Sequence, residues 1–276
     1  MSLAKLNTLM SDNIDDFKKF SIVATRKDLS IQTDMNVHYF SPLDYTHRET
    51  WNYEDFSYDI SKLGFRDNSN IPSDIDIAAF GCSFTFGQGL PKNVLWHHLL
   101  GDSLQLSTYN FGQPAASVKT VLDIFSLTCN HTKIKHAIFL LPPFFRLQIA
   151  SKHKHSDNVE LIPIIPNYSS NLENSYMLDA SAIYKSLPNE ELCKNFKDNV
   201  YLMEYIAKKN NIKIYYSSWD NSTYEILLQM KFKSAILLPR WIDYTTPELK
   251  SLARDMLHPG PSNHLKWAEE IKPYII

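Results

Sequence analysis

Residues 75–80, Ile-Asp-Ile-Ala-Ala-Phe, are apolar at every position but Asp76 and end at Gly81. A run this continuous suits a central parallel strand covered on both faces, because a strand with one wet face would alternate. Downstream, residues 94–104 place Leu95, Leu99 and Leu100 on adjacent helical turns, 107–111 read as a second strand, 117–129 as a second helix and 137–141 as a third strand. Further on, residues 190–210 carry Phe196, Val200, Met203 and Ile206 near helical spacing. They are followed by a fourth strand at 212–217, a short fifth at 235–238 and a closing helix from Ser262. Strands alternating with helices of this length imply a parallel sheet with right-handed crossovers. The predicted class is α/β, a flavodoxin-like three-layer α/β/α sandwich with about five parallel strands.

The chemistry begins where the first run stops. Ser83 follows Gly81 by two residues, in the crevice where open α/β sheets hold ligands. Gly81 is expected to let the backbone turn sharply where a side chain would clash, and Gly87 and Gly89 to keep the following loop thin. A serine hydroxyl is a weak nucleophile at neutral pH and needs a base. The other end of the chain offers one: Asp255 stands three residues before His258, and a Pro-Gly turn follows. Three apart on one turn, the acid can hold the imidazole's tautomer while His258 takes the serine proton. Two competing readings fail locally. Leu90 and Pro91 follow Gly89, so the Gly-Lys-Ser/Thr end of a phosphate-binding loop is absent. Cys82, beside Ser83 on an extended segment, points the other way and reads as a small buried filler.

These residues and several between them resemble the SGNH, or GDSL, hydrolases. The resemblance lies in Gly81-Cys82-Ser83-Phe84-Thr85-Phe86-Gly87, in the second block Asn110-Phe111-Gly112-Gln113-Pro114-Ala115-Ala116-Ser117, in Asp255-x-x-His258-Pro259 and in Asn263-His264 before the last helix, with Leu63-Gly64-Phe65-Arg66-Asp67 upstream. It implies a Ser83–His258–Asp255 triad and a serine esterase acting on a small acyl ester, such as an acetyl group on a carbohydrate. It also implies oxyanion donors from the amides of Ser83 and Ala115, with Gly112 in the same binding loop. Two departures stand out. Ala115 takes the place of the block's second glycine, and the third block's asparagine is missing, since Leu141 is followed by Pro142, Pro143, Phe144, Phe145 and Arg146. Arg146 is the candidate substitute, because losing one oxyanion donor costs about 100- to 1,000-fold. An acyltransferase with the same triad and a non-catalytic binding protein are the alternatives. Residues 101–104 spell Gly-Asp-Ser-Leu but follow a helix, so Ser103 lacks the strand-then-turn setting of a nucleophile.

Residues 1–70 are expected to form an aromatic-rich arm packed on the core, and 71–276 the SGNH hydrolase-like domain, with 147–188, where polar stretches and prolines break the periodicity, reading equally as a lid insertion or as a plain surface excursion. Adjacent His97 and His98 do not face together and read as surface or edge positions. His153 and His155 lack partners at metal-ligand spacing, so neither metal nor cofactor is expected. A net charge of −2 gives no electrostatic case for nucleic acid or an anionic membrane, leaving a small-molecule or carbohydrate ester as the expected partner. The three cysteines do not suggest a disulfide framework. Residues 1–20 contain acidic residues and lack the apolar core of a signal peptide, and no run reaches the roughly 20 apolar residues of a membrane helix, so a cytoplasmic setting is expected.

Overall fold

The computed structural model describes residues 58, 60–61, 63–67, 70–152, 159–164, 186–241, 253 and 258–275, with the backbone alone at 149–152 and 159–164. The apolar run becomes β1 (Asp74–Gly81), buried from Ile77 onward except for its entry. It pairs in parallel on both sides, with β2 (Thr108–Asn110) through Ile77↔Thr108 and with β3 (Lys133–Leu141) through Phe80↔Phe139. β6 (Lys213–Ser218) joins β3 and the two-residue β7 (Ile236–Leu237) joins β6, also in parallel, giving the order β2-β1-β3-β6-β7. This is the five-stranded parallel α/β sheet expected. The chain leaves β1 toward one edge and returns past it to β3, so the carboxyl ends of β1 and β3 flank the topological switch point where such sheets bind ligands.

The connecting helices are α2 (Trp96–Leu104), α3 (Val118–His131), α4 (Asn189–Lys209), α5 (Asn221–Gln229) and α6 (Pro261–Ile275). Helix α6 packs against α2, and α3 against α4. Serine and aspartate side chains start two of them: Ser117 accepts the Thr120 N–H at the head of α3, and Asp220 the Thr223 N–H at the head of α5. Aromatic rings fill the layer beneath the site. Phe80 stacks between Phe111 at 5.0 Å and Phe139 at 4.9 Å, and Phe125 meets it edge-on at 5.3 Å. Burying each such ring contributes about 1.5–3 kcal/mol. Phe65, from the upstream segment, closes on Phe111 at 5.1 Å.

Two elements differ from expectation. Residues 147–188 are not without regular structure: β4 (Leu147–Lys152) and β5 (Val159–Ile164) form an antiparallel hairpin separate from the main sheet. Helix α5, in a stretch for which no element is predicted above, covers β6. Among the described residues no helix is long and apolar enough to cross a membrane. Most of the predicted arm, His153, His155 and much of the predicted lid lie outside the described residues.

Candidate active site

β1 hands the chain to a single helical turn, α1 (Ser83–Phe86), whose first residue is Ser83. Gly81 sits where strand passes into the helical turn, as expected, and it does so without a positive φ. What Gly81 supplies is space, because a Cβ would strike the Thr85 hydroxyl and lie 2.6 Å from the Leu140 carbonyl oxygen. The turn closes at Gly87, in the left-handed region at φ 77°, which donates its N–H to the Ser83 carbonyl at 2.8 Å. Ser83 is 6% exposed, and its hydroxyl makes no hydrogen bond to a described residue. Cys82 faces away into the core and its sulfur accepts the Trp219 indole N–H at 3.4 Å.

Around the next residue the chain gathers rings from distant elements. Trp219, just past the carboxyl end of β6, stacks on Phe84 at 4.5 Å with planes 4° apart. Trp241 meets Phe84 edge-on at 6.0 Å, and the His258 imidazole meets it edge-on at 5.7 Å. The structure therefore brings His258, from the opposite end of the sequence, to the neighbour of Ser83. The His258 carbonyl accepts the Ala253 N–H at 2.8 Å, which ties the histidine's loop back on itself. Asp255 lies outside the described residues.

The loop after β2 is laced to the same turn. The Gln113 N–H donates to the Gly81 carbonyl at 3.0 Å, and the Asn110 side-chain amide donates to the Thr85 carbonyl at 2.9 Å. Gly112, grouped above with the binding residues, gives its N–H to Asn110 Oδ1 at 2.8 Å, so this amide is engaged inside the loop instead of facing a substrate. The glycine is required by contact, since a Cβ would press on the Phe86 nitrogen and lie 2.8 Å from the Thr85 carbonyl carbon. Ala115 adopts φ 57°, the left-handed conformation that a glycine takes without strain. Among the described residues no acceptor takes its N–H. Arg146 follows a turn in which its own N–H donates to the Pro143 carbonyl at 3.0 Å, and its guanidinium lies over Trp219, 5.4 Å from the ring centre. Pro142 and Pro143 offer no N–H at this edge.

Behind the turn sits a buried polar layer. Arg66 donates to the Phe86 carbonyl at 2.9 Å and to the carbonyls of Gly87 and Leu90, with its guanidinium 4.5 Å from the Tyr58 ring centre. Asp67 accepts the Asn110 N–H at 2.8 Å and pairs with Lys92. Burial acts to raise its pKa, but His98, Lys92 and the Asn110 amide together hold it well below the usual carboxylate range. His97 is 0% exposed, contrary to the surface position expected, because the helix turns it into this layer. His264 is also buried and its Nδ1 accepts the Trp96 N–H at 3.1 Å. Burial, with smaller contributions from Arg66 and His258, pushes its pKa down to about 3. Ser103 lies on α2 and donates to the Leu100 carbonyl at 2.9 Å, the position of an ordinary helical serine. Among the described residues no group of three or more His, Cys, Asp or Glu side chains is placed to hold a metal. Trp219 escaped sequence reading, although its place directly after a strand's carboxyl end was the available signal.

No family model and no curated protein matches the chain. Among solved structures it is similar to a lipolytic protein of the G-D-S-L family from Desulfitobacterium hafniense DCB-2, at 16% identity over 74% of this chain and 100% of that one, TM-score 0.44. It is similar to the psychrotrophic esterase EstA from Pseudoalteromonas sp., at 13% identity over 74% and 97%, TM-score 0.47. A third is an acetyl xylan esterase from Butyrivibrio proteoclasticus, at 14% identity over 75% and 65%, TM-score 0.46. At these identities and TM-scores the likeness says nothing about activity, which has to be read from the residues.

Proposed function

We propose that the protein is a serine esterase in which Ser83 attacks the carbonyl of a small acyl ester. His258 takes the serine proton and returns it to the leaving alkoxide, and Asp255 orients the imidazole. The acyl-enzyme then yields to water activated by the same histidine. The amides of Ser83 and Ala115 receive the negative charge that develops on the carbonyl oxygen. The observation that carries the reading is the His258 ring at 5.7 Å from Phe84, the neighbour of the serine that opens the turn after the central strand. Free enzymes often hold a serine–histidine pair loosely and tighten it when substrate binds. By motif resemblance the acyl group is acetyl, carried on a carbohydrate.

One observation favours a second reading, a ligand-binding protein without turnover. The segment after β3 presents Pro142 and Pro143 where an oxyanion donor is expected. Steady-state hydrolysis of 4-nitrophenyl acetate by wild type, Ser83→Ala and His258→Ala separates the two. The esterase reading predicts that each variant loses at least about 1,000-fold in kcat/KM. Wild type no faster than either variant would leave the binding reading.

A further inference from the structure

Building on the esterase reading, we propose that Arg146 and Gln148 form a subsite for a carboxylate carried by the ester substrate. Arg146 Nε, Arg146 Nη1 and Gln148 Nε2 are buried and have no hydrogen-bond partner among the described residues. All three are N–H donors. Buried donors in folded proteins are almost always paired, so three unpaired ones on residues two apart mark a place for an acceptor that the described residues do not supply. Gln148 is the second residue of β4 and Arg146 immediately precedes that strand, and alternate residues of an extended chain face the same way.

The position connects to the nucleophile. The Arg146 guanidinium lies 5.4 Å from the Trp219 ring centre, Trp219 stacks on Phe84 at 4.5 Å, and Phe84 follows Ser83. Arg146 is partly exposed as a whole, so a ligand can reach it from solvent. The carboxylate next to Trp219 does not compete: Asp220 Oδ1 accepts the N–H and hydroxyl of Thr223 at 2.8 and 2.7 Å. A guanidinium's hydrogen bonds to an ionised oxygen are roughly twice as strong as those to a neutral one, and its planar fork matches a carboxylate, which favours an oxyanion as the missing acceptor. One guanidinium balances one negative charge, which favours a carboxylate over a dianionic phosphate.

The test compares 4-acetoxybenzoate with the neutral 4-acetoxybenzamide, which share the acetyl group and differ in the charge on the alcohol part. The ratio of their kcat/KM values is expected to fall about 10- to 100-fold in Arg146→Met, chiefly through KM, to fall less in Gln148→Leu, and to recover partly in Arg146→Lys. A ratio equal to wild type in Arg146→Met would overturn the subsite. So would an equal loss of kcat on both esters, which would put the guanidinium on the reacting oxygen. A second measurement needs no turnover: at matched ionic strength, 4-acetoxybenzoate but not 4-acetoxybenzamide should raise the Tm of Ser83→Ala and fail to do so in Ser83→Ala/Arg146→Met. If neither ester were hydrolysed while that shift appeared, the esterase reading would fall and the anion subsite would stand. Equal shifts in both variants, or none in either, would remove the subsite.

Discussion

The Trp96 N–H that His264 accepts through Nδ1 demands a neutral imidazole, because a protonated ring has no lone pair to offer. Burial enforces the same state by lowering the pKa to about 3, and it lowers that of His97 well below its ordinary value. In the unfolded chain both rings titrate near 6.5. Between the folded and unfolded values the unfolded state binds protons that the folded state refuses, so stability rises with pH there. This contribution is full above about pH 6.5 and is lost as pH falls below it. Urea titrations from pH 7.5 to 5 should show unfolding free energy declining, with a limiting slope near 1.4 kcal/mol per pH unit for each histidine. His264→Asn, whose side chain still offers an acceptor, should remove one such contribution, and a slope unchanged in that variant would contradict the account. That His258 lies beside Phe84, the neighbour of Ser83, was legible in sequence because Ser83 and His258 each belong to a short local pattern. The burial of His97 and the inward amide of Gly112 were not, because both depend on which distant backbone closes over them.

Glu204 shows how a single side chain can organise an element junction. It is 6% exposed on α4, and its Oε1 accepts the N–H groups of Lys233, Ser234 and Ala235 at 2.7, 2.5 and 3.0 Å, fixing the connection that leads into β7. Burial works to raise its pKa, but these donors hold it below the ordinary value. Replacing the carboxylate in Glu204→Ala leaves three N–H groups without an acceptor and should cost about 2–4 kcal/mol in chemical denaturation. A loss under about 0.5 kcal/mol would show that the loop holds itself. The strands and helices of the main sheet were readable because their apolar periodicity matches the faces they bury. The β4–β5 hairpin was not, since it stands apart from that sheet and Pro163 sits within it, opposite Gln148. A proline argues against a strand except at an edge. Helix α5 was missed because Asp220-Asn-Ser-Thr reads as a loop, although the same aspartate is the cap that starts the helix.

At the scale of the whole molecule, the order β2-β1-β3-β6-β7 delivers the site's parts to one edge of the sheet. β1 leads into the turn that Ser83 opens, the segment after β3 brings Arg146, β6 ends beside Trp219, and the chain before α6 returns with His258. The fold therefore explains why residues far apart in sequence converge, while the central claim concerns a single hydroxyl. The most direct measurement is intact-protein and peptide mass spectrometry after treatment with a fluorophosphonate. The account predicts one stoichiometric adduct, on Ser83, much slower in His258→Ala and absent in Ser83→Ala. Wild type that stays unlabelled while folded, or labelling that persists in Ser83→Ala, would contradict it.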